Sequence, residues 1–207
     1  MIYVDMDGVF VDWYKAAAEL VNTVGYKNED EWPNWTRGID FVDQRVLDLR
    51  AKYPDGVTEQ DMIYERVIVD SPLRSLIKHL LQHIYSEYWW ATLPQTSKMW
   101  DIMEAVSTSE SPWCLLTKPI SREPLCNEGC TLGKLIWCRC TLGLMAIIID
   151  RDKGKYGQPG DILIDDELSN IDKFKANGGY GIHIKDLETL TVEYLKAEIK
   201  KGLGGKA

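Results

Sequence analysis

Two aspartates stand two residues apart behind a short apolar run, in Met1-Ile2-Tyr3-Val4-Asp5-Met6-Asp7-Gly8. In a strand, successive side chains point to opposite faces, so Asp5 and Asp7 share a face and converge just beyond the strand's carboxyl end. Two carboxylates so placed can hold a hard divalent cation, and a carboxylate can also attack phosphorus or pass a proton. The arrangement recurs far downstream, where Ile162-Leu163-Ile164 runs into Asp165-Asp166. Asp-x-Asp-Gly alone is an ordinary turn sequence. A second acidic strand end shifts the weighting, because ligands of open parallel sheets sit outside the carboxyl ends of their strands. The two ends are expected to build one acidic site suited to phosphoryl transfer.

Bringing those ends together requires a parallel sheet, and the pattern of elements supplies one. Strands are expected at 113–116, 146–149, 161–164 and 180–184. Helices are expected at about 131–141, at 168–176 and at the C-terminus, an alternation that implies a parallel sheet covered on both faces. Between the first strand and residue 94 the chain reads as a helical insertion. Ala16 to Val24 is a helix stopped by Gly25, Phe41 to Lys52 stays in helical register, and Thr58-x-x-Asp61 opens a helix over Met62 to Val69. Ser71 followed by Pro72 reads as an N-cap with proline at the first helical position, leading to about Tyr85. Tyr88 to Pro94 reads as a strand-like aromatic run, followed by a helix from about 97 to 106, and the tail from Gly202 to Ala207 as frayed.

Composition narrows the classes of function. The chain of 207 residues is 45% hydrophobic and 27% charged, ordinary for a globular protein with one core and an inserted subdomain. A net charge of −8 argues against a broad nucleic-acid or anionic-membrane surface, so phosphate must be bound locally. The N-terminus enters a strand at once and no apolar run approaches bilayer length, which reads as a cytoplasmic protein. Cys114, Cys126, Cys130, Cys138 and Cys140 have neither zinc-site spacing nor a nearby histidine, and read as reduced thiols. His79 and His83 stand one helical turn apart without the glutamate of a zinc peptidase, and read as a solvated helix face.

Four pieces of the chain stand in order: Asp5-Met6-Asp7-Gly8-Val9, the strand-end Thr117, a lysine in Arg151-Asp152-Lys153-Gly154-Lys155, and Asp165-Asp166. The set resembles the haloacid dehalogenase-type (HAD) phosphatases. The resemblance implies an α/β fold with a Rossmann-like three-layer parallel-sheet core, at 1–12 and 95–207, and a helical cap at 13–94 inserted after the first strand. It also implies Asp5 as the nucleophile that forms an aspartyl phosphate, and Asp7 as general acid and then general base. Thr117 would give its hydroxyl and backbone N–H to a phosphoryl oxygen, while a lysine neutralises the shared charge. The Arg-Asp-Lys match favours Lys153, whereas counting back from the Asp161 strand favours Lys155. Lys153 is the expectation, and Lys118, directly after Thr117, is a further phosphate-binding candidate. Magnesium is the implied cofactor, held by Asp5, the backbone carbonyl of Asp7, and Asp165 with Asp166, with the direct ligand of that last pair left open.

Longer stretches are similar to the 5'(3')-deoxyribonucleotidases and their phage and bacterial relatives. Thr117-Lys118-Pro119-Ile120 resembles that branch's Thr-Ser-Pro-Ile. Gly133-Lys134-Leu135-Ile136-Trp137 resembles its Lys-x-x-Trp-Val helix, and Asp161-Ile162-Leu163-Ile164-Asp165-Asp166 its Asp-Leu-Leu-Ile-Asp-Asp. Tyr88 to Pro94 is similar to its Phe-Trp and Leu-Pro segment. The chain departs from the branch at Lys118, where the branch has serine, at Asp150, where it has threonine, and across Ser121 to Cys130. The resemblance implies a (deoxy)ribonucleoside monophosphate as substrate, with a sugar phosphate or other small phosphomonoester as the alternative. A base needs a stacking surface, for which Trp13, Trp32, Trp35, Trp89 and Trp90 are candidates, Trp13 and Trp90 foremost. No nucleic-acid polymer and no membrane is expected as a partner, and a homodimer is compatible with these features.

Overall fold

A computed structural model of the chain describes residues 1–27, 44–65, 72–83, 87–120 and 124–204. They fall into two compact units: Met1–Asp12, Gln95–Pro119 and Cys138–Ala207 form the first, and Trp13–Pro94 with Ile120–Trp137 the second. Residues 120–137 thus go with the insertion, whereas the sequence reading kept 95–207 together.

The first unit is built on a five-stranded, all-parallel sheet. Strands β1 (Ile2–Val4), β2 (Trp113–Thr117), β3 (Ile148–Ile149), β4 (Ile162–Asp165) and β5 (Tyr180–His183) lie in the order β3-β2-β1-β4-β5. The first strand is therefore central, flanked by the two strands whose ends carry Thr117 and Asp165. Pleat alternation sorts the side chains onto two faces. Tyr3, Leu116 and Leu163 share one face, where they pack with Ile171 and Phe174 of helix α8 (Leu168–Ala176). Ile162 lies on the other, where Gly202 at the end of helix α9 (Val192–Gly202) comes so close that a Cβ there would meet Ile162 Cδ1 at 2.8 Å. Helix α6 (Met99–Ser107) packs with α9. Helices thus cover both faces, the α/β architecture the alternation predicts.

The second unit is helical in its described residues: α1 (Trp13–Tyr26), α2 (Gln44–Lys52), α3 (Glu59–Glu65), α4 (Pro72–His83), α5 (Glu87–Ala91) and the start of α7 (Pro124–Leu142). Thr58 opens α3 as its sequence implies, with Thr58 N donating to Asp61 Oδ2 at 2.8 Å and Asp61 N to Thr58 Oγ1 at 3.1 Å. Asn22 ties α1 to the turn before α3, donating to Val57 O at 2.8 Å and accepting from Val57 N at 2.7 Å. Three expectations are corrected. Gly25 does not stop α1, which runs to Tyr26; instead its missing side chain admits Leu49 of α2, 3.2 Å from where a Cβ would lie. Tyr88 to Pro94 begins as helix α5 and not as a strand, because a helical turn lets Trp89 and Trp90 both face inward, 4.6 Å apart and edge to face. Helix α7 starts at Pro124, well before residue 131, with proline at its first position. The Ser71 cap, Trp32, Trp35 and parts of the expected helices over Phe41 to Val69 and on to Tyr85 lie outside the described residues. No helix of the described residues is long and apolar enough to cross a membrane.

Candidate active site

The chain turns sharply as it leaves β1. Met6 O accepts from Phe10 N at 2.9 Å and Val11 N at 2.8 Å, and Gly8 N donates to Val11 O at 2.9 Å. Gly8 makes the turn with φ +78°, and a Cβ at that position would stand 2.5 Å from Asp166 Oδ2, so only glycine fits between the two acidic loops. Thr96 clamps the turn from outside, its N–H donating to Phe10 O at 2.9 Å and its hydroxyl to Val9 O at 2.8 Å. Asp5 and Asp7 are thereby fixed beyond the end of the central strand.

Lys153 lies between the two acidic strand ends. It is 1% exposed, and its Nζ stands 2.6 Å from Asp5 Oδ1 and 2.7 Å from Asp165 Oδ2. A single 3₁₀ turn, Lys153–Tyr156, delivers it. Asp152 caps that turn by accepting from Gly154 N at 3.2 Å, and Asn177 Nδ2 holds Gly154 O at 3.1 Å. Lys155, the other lysine of the pair, points elsewhere: it is half exposed and ion-paired to Asp150, which also accepts from Tyr156 Oη at 3.0 Å.

Asp165 is fully buried and saturated with donors. Its Oδ1 accepts from Glu167 N at 2.8 Å and Asn170 Nδ2 at 3.0 Å, and its Oδ2 from Lys153 and again from Asn170 Nδ2 at 3.0 Å. Asp166 is the more exposed of the two, and its backbone carbonyl accepts from His183 Nε2 at 3.0 Å, which places a proton on Nε2. Thr117 is fully buried at the end of β2, where its carbonyl accepts from Asp150 N at 2.9 Å. Lys118 follows it, 2.9 Å from Glu167 Oε2.

The electrostatics follow from burial. Loss of water pushes the Asp5 carboxyl up to about 8; Asp165, Asp7 and Asp166 add like charge, and Lys153 pulls the other way. Burial alone would lower the Lys153 ammonium, but Asp5 and Asp165 outweigh it and the net shift is upward. Burial also raises the Glu167 carboxyl, yet its hydrogen bonds from Lys118 and Ser169 bring it below its ordinary value. Among the described residues, Asp5, Asp165 and Asp166 offer ligand atoms within 4.8 Å of one another, an all-oxygen donor set that suits magnesium.

The structure therefore brings Asp5, Asp7, Thr117, Lys118, Lys153, Asp165 and Asp166 to strand ends of one sheet, and keeps Lys155 on Asp150. The two tryptophans belong to the other unit. Trp13 is half-buried, edge to face with Tyr14 at 5.7 Å. Trp90 is a correction: it is 0% exposed, enclosed by Trp89 and by Gly133 of α7, where a Cβ would meet Trp90 Cβ at 2.4 Å, so it presents no open stacking face. Sequence reasoning missed Asn170, Glu167, Thr96 and His183. Asn170 alone left a signal, a polar residue one turn into the helix that follows the acidic strand end.

No family model matches the chain, and no curated protein does. Among solved structures it is similar to a hydrolase from Pseudomonas syringae, at 11% identity and a TM-score of 0.40 over 95% of this chain and 88% of that one. It is also similar to a HAD hydrolase, family IA, variant 3, from Entamoeba histolytica, at 12% identity and a TM-score of 0.39 over 96% of this chain and 98% of that one.

Proposed function

We propose that the chain is a HAD-type, magnesium-dependent phosphomonoesterase that hydrolyses (deoxy)ribonucleoside monophosphates through an aspartyl phosphate on Asp5. The observation that carries the reading is Lys153, buried between the carboxylates of Asp5 and Asp165 at 2.6 and 2.7 Å, beside the Asp5, Asp165 and Asp166 cluster. A structural ion pair would need one carboxylate for one lysine. An excess of buried carboxylate charge around one ammonium instead suits a site built to bind a divalent cation and, with it, a phosphate.

Asp5 Oδ1 is engaged by Lys153 Nζ at 2.6 Å and by Met6 N at 2.7 Å. Its Oδ2 is the oxygen that attacks phosphorus, forming the Asp5–phosphate bond as the ester oxygen departs. Asp7 gives that oxygen its proton. As a carboxylate, Asp7 then takes a proton from the water that attacks the aspartyl phosphate, which regenerates Asp5 and releases inorganic phosphate. Thr117 and Lys153 hold the charge of the transferring group. Magnesium, when bound by Asp5, the Asp7 carbonyl and Asp166, supplies positive charge that keeps Asp5 ionised and neutralises the phosphate. Asp165 positions Lys153, since its oxygens are already engaged. Trp13, in the helical unit, is the candidate surface for a base.

The test is phosphate release from matched nucleoside monophosphates and sugar phosphates, with and without magnesium, for the wild type and Asp5→Asn. Metal-dependent release that prefers nucleotides and falls by more than about 10³-fold in Asp5→Asn is expected. Release confined to sugar phosphates would move the reading to the alternative substrate class. Full activity in Asp5→Asn would overturn the mechanism.

A further inference from the structure

Beside the buried site, the described residues hold one ion pair that links the loops on either side of the nucleophile's strand. Lys118 is one residue past β2 and Glu167 two residues past β4, and β1 lies between those strands. Strands two apart are separated by roughly 10 Å, yet Lys118 Nζ and Glu167 Oε2 meet at 2.9 Å, so the pair reaches past the end of β1 where Asp5 stands. Lys118 also adjoins Thr117, the residue assigned to a phosphoryl oxygen. Its side chain is 34% exposed and that of Glu167 44%.

An ion pair this exposed contributes little to the fold, and its exchange for another partner costs correspondingly little. Glu167, by contrast, is held in place: Ser169 Oγ donates to its Oε1 at 2.8 Å, and Asn170 Nδ2 to its Oε2 at 3.2 Å. A fixed carboxylate thus holds a lysine on a flexible stem at the rim of an anion site. Resting on the phosphatase reading above, we infer that Lys118 is a phosphate-binding residue and that Glu167 is the positioning residue that restrains it. An arriving phosphoryl group competes with Glu167 for the ammonium, and release of inorganic phosphate returns the lysine to Glu167. The pair would set affinity for phosphate and limit inhibition by the product.

The experiment measures inhibition by inorganic phosphate, with KM and kcat, for the wild type, Lys118→Met, Glu167→Gln and the double variant, with melting curves to verify folding. Lys118→Met is expected to weaken phosphate inhibition about fivefold, and Glu167→Gln to strengthen it by a similar factor. The double variant is expected to match Lys118→Met alone, because the effect of Glu167 on phosphate inhibition runs through the lysine. Lys118→Arg should restore inhibition. Weakening by Glu167→Gln, or a Glu167 effect that persists without Lys118, would show a merely structural pair and overturn the inference. Asp5-dependent turnover with unchanged phosphate inhibition in every variant would overturn this inference alone. Absence of Asp5-dependent turnover and of phosphate inhibition in the wild type would overturn both it and the phosphatase reading.

Discussion

The nucleophile works against the fold that holds it. Asp5 is buried among Asp7, Asp165 and Asp166 with Lys153 as its near cation, and its carboxyl rises to about 8. A carboxyl whose pKa is higher folded than unfolded holds its proton more tightly in the native state. Its contribution to stability is therefore fullest below the unfolded value and is lost as pH rises toward the folded value, here between about 4 and about 8. In the absence of divalent metal, the wild type should melt at a lower temperature at pH 8 than at pH 5. Asp5→Asn keeps a polar group of the same shape but removes the titration, so the gap between the two melting temperatures should narrow, with the variant at least as stable as the wild type at pH 8. Thermal melts in a chelator at both pH values check this. A wild type more stable at pH 8, with no narrowing in the variant, would mean that Asp5 is stabilised in its charged form.

At the scale of elements, the turn after β1 converts two strand-end aspartates into a site. Gly8 combines φ +78° with contact to Asp166, so Gly8→Ala faces both backbone strain and a clash at 2.5 Å from Asp166 Oδ2. It should cost about 1–3 kcal/mol of stability and push Asp166 away, which would weaken metal activation more than it lowers turnover at saturating metal. A magnesium titration of activity beside a denaturant melt separates the two effects. Much of this layout was legible in sequence. The apolar runs at Ile2–Val4 and Ile162–Ile164 read as buried parallel strands because both faces are covered, and their acidic ends followed directly. Less legible were features set by tertiary packing. Gly25 carries the signature of a helix stop but serves the approach of α2, and Trp89-Trp90 has strand propensity but is buried by a helical turn. Lys153 and Lys155 sit two residues apart in one 3₁₀ turn, and only the conformation of that turn sends one to Asp5 and the other to Asp150. Thr96 and His183 act through backbone carbonyls, contacts for which no motif exists.

At the scale of the whole molecule, a chain of net charge −8 concentrates carboxylates at the end of a sheet where a single buried lysine cannot balance them. Such a cluster stores repulsion that a divalent cation relieves, so metal binding and folding should be linked. Binding to the native state alone, at about 100 times the dissociation constant, adds about 2.7 kcal/mol, which for a chain of this size is roughly 5–11 °C of melting temperature. Magnesium should therefore raise the melting temperature of the wild type by an amount that grows with its concentration, and a chelator should reverse the gain. Asp5→Asn and Asp166→Asn should lose most of that gain. Lys155→Met, whose lysine pairs with Asp150 away from the cluster, should keep it. Equal stabilisation of all four proteins would place the metal elsewhere on the acidic surface. A response confined to proteins with an intact cluster would tie the cation to the strand ends and account for why the native state tolerates so many carboxylates there.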